Sequence, residues 1–191
     1  MSKGKDTRAR ILDEAMNQVS VRGMAGVSLG DLATALNLSK SGVLKHFQSM
    51  EALQDALIDT MQDTFKAAIW DPAEPLPPGR ARLDEIFERN LDWSDGKSVA
   101  GGCPLMATTI ELDDQPGPLR DKLKAGQIRW ARTLAREFTE LRPDIDPDTA
   151  AAMAFQYKGI IMAHGHSRRM LDDEAARRQA RSAYRLLVGA A

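Results

Sequence analysis

The sequence has only one cysteine, Cys103, among 191 residues. That excludes an intrachain disulfide framework and a multi-cysteine zinc site. It also lacks any apolar stretch long enough for a signal peptide or a membrane span, so no membrane partner is expected and a reducing, cytoplasmic location is. Clear runs of alternating apolar and polar residues are missing, which removes the strand signature. There is no glycine-rich phosphate loop, no cluster of metal ligands and no nucleophile beside a plausible base. The expectation is therefore no catalytic residue, no metal, no cofactor and no enzyme. A large charge of either sign is absent too: the net charge is −1, so the whole chain does not read as a nucleic-acid binder.

With 43% hydrophobic and 28% charged residues, the chain is apolar enough for a packed core and too apolar for disorder. Its periodicity is helical. Ile11, Leu12, Ala15, Met16 and Val19 share a face of a first helix, predicted from about Asp6-Thr7 to Arg22, with Gly23 as its stop. Ser28 opens a second helix, with Asp31 three residues on in a variant of the capping box. Ser39 opens a third to about Phe47, and Ser49 a fourth to about Trp70, ended by Asp71-Pro72 and the run Pro75-Leu76-Pro77-Pro78-Gly79. Further on, Leu83, Ile86, Phe87 and Leu91 mark another face. A short helix is expected to about Glu111, and a long one from Pro118 to about Leu141. Another follows Asp146-Pro147, and the last spans about Asp173 to Val188. The fold class is all-α: an N-terminal three-helix domain over residues 1–48, joined by a connector helix to a helical domain over 49–191.

The informative block is residues 25–55. Two short helices flank the tight turn Asn37-Leu38-Ser39. Val27, Leu32, Ala35, Leu36, Leu38, Val43, Leu44 and Phe47 suffice to pack them across each other and against the first helix. The second of the pair then exposes Lys40, Ser41, Gly42, Lys45 and His46, which is the arrangement of a helix-turn-helix whose second helix enters the major groove of DNA. Local charge agrees: residues 1–48 carry seven Lys/Arg against four acids, a local +3, leaving −4 for the rest. Ser39, Ser41 and Gly42 allow close approach of the backbone to phosphate, and Lys40 and Lys45 supply charge for counterion release. A solvated helix face is the plain alternative for the two lysines. His46 suits a phosphate contact and packing beside Phe47 equally.

Ser39-Lys40-Ser41-Gly42-Val43-Leu44-Lys45-His46-Phe47, followed by Ser49-Met50-Glu51-Ala52-Leu53, resembles the recognition helix and connector start of the tetracycline-repressor (TetR) family. Thr7, Ile11, Leu12, Ala15, Gly23, Ser28, Asp31, Leu32, Ala33, Leu36 and Leu38 fit the same pattern. The resemblance covers about residues 6–55 and continues more loosely through Gly101-Gly102-Cys103-Pro104-Leu105, Glu111 and Pro116-Gly117-Pro118-Leu119. Where that family often has aromatics, this chain has Leu44 and Lys45. The resemblance implies a DNA-binding transcription regulator, usually a repressor, released from a double-stranded DNA operator by a small-molecule effector. The DNA-contact candidates are Lys5, Ser28, Ser39, Lys40, Ser41, Gly42, Lys45 and His46, with Lys3, Lys5 and Arg8 forming a basic arm. A helical small-molecule-binding protein without DNA function is the alternative.

For the effector, apolar helical faces with few polar groups suggest Ile86, Asn90, Trp93, Met106, Ile110, Trp130, Phe155 and Met162 as walls, and Asn90, Gln127, Gln156 and Lys158 as polar handles. The same residues would equally fill a core. A homodimer is expected, because one short helix reads too few bases. As the resemblance implies, the last two helices would form its seam, through Ala150, Ala151, Ala154, Gly159, Ala163, Ala183, Tyr184, Leu187 and Val188. His164 and His166, two apart on a helix, diverge and suit packing or surface roles. Cys103 suits a small buried hydrophobe.

Overall fold

The computed structural model describes residues 3–96, 99 and 101–189, without the side chains of residues 3–5. Among the described residues the regular structure is helical: α1 (Lys3–Arg22), α2 (Leu29–Leu36), α3 (Lys40–Phe47), α4 (Met50–Phe65), α5 (Asp71–Ala73), α6 (Arg80–Ser94), α7 (Pro104–Glu111), α8 (Pro118–Leu141), α9 (Pro147–Met170) and α10 (Ala176–Val188). No helix among them is long and apolar enough to cross a membrane.

Packing divides the chain into two compact units. The first joins Met1–Thr64 with Ser98–Lys124, and the second joins Phe65–Lys97 with Ala125–Ala191. These units cut the chain differently from a division at residue 48, because α4, α7 and the start of α8 pack with the N-terminal helices.

In the first unit, Ile11, Leu12, Ala15, Met16 and Val19 of α1 are buried together with Met24, Val27, Leu32, Ala33, Val43 and Phe47. Ala35, expected in this core, is exposed, and Ala33 takes the inward place next to Leu32. Leu36, Leu38 and Leu44 are half-buried. Leu53, Leu57, Ile58 and Met61 bury one stripe of α4, the i, i+4 spacing of an amphipathic helix.

In the second unit, Phe87 stacks on Tyr184 with ring centroids 4.0 Å apart, and Tyr157 and Phe138 complete an aromatic core with Leu83, Ile86 and Leu91. Helical structure does not end at Trp70 as the sequence suggests. A π-helical turn, Lys66–Trp70, passes directly into α5. Pro72 has no N–H for the Ala68 carbonyl four residues back; the Arg89 guanidinium approaches that oxygen instead, at 3.5 Å. The proline-rich loop is then tied down by Arg82, which donates to the carbonyls of Glu74 and Leu76 and to buried Glu137 at 2.9 Å. Glu137 also accepts from the Gly79 amide at 3.0 Å. The last helix starts at Ala176 rather than Asp173, because the Asp173 carboxylate caps the turn by accepting from the Ala175 amide at 2.8 Å.

Candidate nucleic-acid interface

Each helix of the short pair is started by a serine hydroxyl. Ser28 Oγ accepts from the Asp31 amide at 3.1 Å, and Ser39 Oγ accepts from the Gly42 amide at 3.0 Å. Such N-caps stabilise a helix by about 1 kcal/mol each. Between them the chain turns at Asn37, whose left-handed backbone (φ 54°) closes α2 through bonds to the Ala33 and Thr34 carbonyls. Asn tolerates that conformation better than most residues. The turn is thus fixed by local chemistry, and Val43 and Phe47 anchor α3 from below.

What remains outside is the face expected from the sequence, with two changes. Lys40, Ser41 and Lys45 are exposed, as are Ser28 and Ser39, whereas Gly42 and His46 are half-buried. Ser39 Oγ also lies 3.0 Å from Ser41 Oγ. As an N-cap oxygen it accepts from an amide, which leaves its hydroxyl hydrogen and one lone pair for Ser41 or another partner. The Lys40 side chain lies back over the start of α2: its Cε and Nζ fall 3.2 and 3.6 Å from where a Cβ on Gly30 would stand. One ammonium and the amide ends of two helices therefore concentrate positive potential at one spot, the arrangement that receives phosphate. Among the described residues no acid pairs with Lys40 or Lys45; the nearby Asp31 faces Arg22 at 3.6 Å. Helix α3 carries two lysines and no acid. From α1, the Arg8 guanidinium covers the Phe47 ring at 4.8 Å, which ties that part of the basic arm to the base of α3. The side chains of Lys3 and Lys5 lie outside the described residues.

The effector candidates do not converge as a set. Ile86, Asn90 and Trp93 share the buried face of α6. Asn90 is committed to packing chemistry: its amide donates to the Ile86 carbonyl and to the Tyr157 hydroxyl at 2.8 Å. Trp130 on α8 is half-buried and meets Phe65 edge-to-face at 5.2 Å, and Phe65 meets Trp93 the same way at 6.0 Å. The Trp93 indole N–H is buried and has no acceptor. Met106 on α7 is half-buried. Ile110, Phe155 and Met162 are corrections: they are 56%, 78% and 45% exposed, so none is an interior wall. Their helices turn those positions to solvent, which a hydrophobic side chain does not reveal by itself. Of the polar handles, Gln156 is exposed, and Gln127 and Lys158 are half-buried.

The seam expected on α9 and α10 is also redrawn. Ala150, Ala154, Tyr184, Leu187 and Val188 pack within their own chain. Ala151 is exposed. Along α9 the outward face carries Phe155, Gly159, Met162 and His166, at i, i+4, i+7 and i+11. Leu186 on α10 is 82% exposed, and between the two helices runs a groove of about 620 Å³ floored by Gly159, Ala163, Ala180 and Ala183. His164 is buried beneath that groove and bonded through Nε2 to Asp95 at 2.9 Å. Cys103 is not a core hydrophobe: half-buried, it caps α7 as Sγ accepts from the Met106 amide at 3.4 Å. Glu111, Glu137 and Lys122, each with a long-range partner, were not singled out by local pattern as residues with such ties.

Comparison with known proteins agrees with this geometry. Residues 11–57 match the family model described as bacterial regulatory proteins, tetR family, and residues 79–184 match the tetracyclin repressor-like C-terminal domain. The chain is 25% identical over 167 residues to the HTH-type transcriptional repressor DhaR of a Mycobacterium species, covering 81% of this chain and 80% of that one. A TetR transcriptional regulator from Chloroflexus aurantiacus shares the fold with a TM-score of 0.80 at 24% identity, covering 99% and 96% of the two chains. So does AibR, solved in complex with isovaleryl coenzyme A and operator DNA, with a TM-score of 0.76 at 19% identity over 95% and 97%. With both parts of the pattern matched, and more than half of the chain within the C-terminal model alone, this protein belongs to the tetR family of bacterial regulatory proteins and is a DNA-binding regulator of transcription.

Proposed function

We propose that this protein is a homodimeric repressor that grips its operator with α3 of each protomer and releases it when a small, largely apolar molecule binds among its C-terminal helices. The observation that carries the DNA half is the exposed start of α3, with Lys40, Ser41 and Lys45 free of acidic partners and held on a rigid turn. Ser28, Ser39, Gly42 and His46 stand beside them, and Lys5 of the arm would add backbone contacts. A second copy is the natural occupant of the α9–α10 groove: Phe155, Met162 and Leu186 leave apolar surface exposed on those two helices, and small residues between them admit a close helix approach.

The effector reading narrows to the second unit. Phe65, Trp93 and Trp130 form an aromatic cluster that includes one buried, unanswered donor. A buried N–H without a partner costs about 1–3 kcal/mol, and a ligand that presents a carbonyl or ether oxygen recovers that cost. Phe65 is the last residue of α4, and α4 starts three residues after α3 ends. Displacing Phe65 therefore acts on the helix that carries the reading head. AibR, crystallised with both a coenzyme A thioester and operator DNA, shows that one chain of this fold accommodates both kinds of partner.

The test is selection of duplexes from random-sequence DNA by the purified protein, followed by mobility shift over a salt series. Enrichment of a two-fold symmetric sequence, bound more weakly as salt rises, supports the reading. Recovery of no preferred duplex and no salt-sensitive binding would leave only a helical small-molecule-binding protein.

A further inference from the structure

We propose that Glu111, at the end of α7, is a positioning residue for the DNA-reading head. Its carboxylate holds the turn between α1 and α2: Oε2 accepts from the Met24 amide at 2.5 Å and Oε1 from the Ala25 amide at 2.7 Å. Both contacts lie inside the first compact unit, across 87 and 86 residues of sequence.

The turn is built to receive an anion. α1 stops at Arg22, and Gly23 reverses the chain with φ +76°, a conformation that suits glycine. The next two amides then point the same way, a concave nest of N–H donors. A Cβ on Gly23 would stand 2.7 Å from Glu111 Oε2, so the glycine also leaves the carboxylate its place. Ala25 is exposed, and water would satisfy its amide. What the carboxylate adds is a fixed direction, through two charge-assisted bonds.

The grip has a second point. Ser20, buried in α1, accepts from the Gly101 amide at 2.9 Å, and a Cβ on Gly101 would fall 1.7 Å from the Ser20 carbonyl oxygen. It has a third on the connector: Lys122 of α8 reaches Asp55 at 2.8 Å and Asp59 at 2.7 Å, one turn apart on α4. The segment from Gly101 to Lys122 thus straps the end of α1 and the side of α4, on either side of the α2–α3 pair in sequence. Yet it belongs by sequence to the C-terminal domain match. Anything that shifts α7 pulls on the turn from which α2 and α3 are hung. This rests on the DNA-reading role of α3.

The experiment compares wild type, Glu111→Ala and Glu111→Gln on the duplex selected from random DNA and on an unrelated duplex of equal length. It is run at a temperature where thermal unfolding shows every protein folded. Glu111 touches no phosphate in this scheme, so Glu111→Ala should bind the selected duplex at least about fivefold more weakly, the lower end of usual couplings between sites. The unrelated duplex and the salt slope should be unchanged. Glu111→Gln keeps one acceptor oxygen and should lie between. By ¹⁵N-resolved exchange, the Met24 and Ala25 amides should lose protection in the alanine variant. Equal affinity of all three proteins for the selected duplex, or an equal fall on both duplexes, overturns the proposal and leaves Glu111 a stabilising contact. If wild type prefers no duplex, the DNA-reading role of α3 fails instead.

Discussion

Lys40 and Lys45 occupy opposite ends of one eight-residue helix, and their expected contributions differ accordingly. Lys40 lies over the start of α2, where two helix ends and its own charge meet. That is a phosphate position, without sequence information. Lys40→Ala should weaken every duplex about equally and lower the slope of log affinity against log salt by about one per protomer, about two for the dimer. Lys45 is exposed in the last turn of α3, and as a base reader its loss should cost about 1–3 kcal/mol per half-site of the selected duplex and relax preference at one position in each half-site. Fluorescence anisotropy over a salt series separates the two; unchanged affinity and slope in both variants would remove α3 from the groove. Trp93 gives a test of the other kind. Trp93→Phe keeps an aromatic ring against Phe65 and deletes a donor with no acceptor. Deleting the unanswered donor offsets part of the cost of the smaller ring, so the thermal stability of the free protein should change little. Ligands found by thermal shift among apolar ketones, esters and thioesters should bind the variant about tenfold more weakly, the worth of one hydrogen bond of about 1.4 kcal/mol. Undiminished affinity would show that the indole N–H meets no ligand.

At the scale of elements, the faces of α9 and the buried tie between α8 and the proline loop make separate demands. Gly159 sits in the groove, and a Cβ there would meet nothing within 4 Å. Gly159→Leu therefore fits the protomer, and leaving glycine behind favours a helix interior by several tenths of a kcal/mol. The same side chain obstructs a partner helix. The expected outcome is a folded chain, helical by circular dichroism, that sediments as a monomer where wild type is a dimer; a variant that still dimerises would place the seam elsewhere. Glu137 is 0% exposed and answers both Arg82 and the Gly79 amide. Glu137→Ala leaves a nearly buried guanidinium without its counter-charge, which costs about 3–5 kcal/mol. Urea unfolding should show a lower midpoint by that amount, and a loss under 1 kcal/mol would mean the loop rearranges freely.

At the scale of the whole molecule, what the sequence disclosed is what local chemistry decides. Ser28, Ser39 and Asn37 act on amides and carbonyls a few residues away, so the bounds of α2 and α3 are legible before any tertiary contact is known. Residues whose meaning depends on a distant partner are not legible in that way. Glu111 and Glu137 look like ordinary helix-surface acids until the Met24 and Gly79 amides are brought to them. Phe155 and Met162 have the character of core or pocket residues, and only the turn of α9 shows that they face outward. Pro72 is an ordinary helix stop in sequence, yet the chain runs from a π-helical turn directly into α5, which contains it. The most direct check on a symmetric DNA-reading dimer is hydroxyl-radical footprinting on the selected duplex. The predicted result is two protected patches related by two-fold symmetry, their centres about one helical turn or a little more apart, roughly 34–36 Å at the shortest, and both lost together in Lys40→Ala at moderate salt. A single unsymmetric patch, or protection that persists unchanged in that variant, would contradict it.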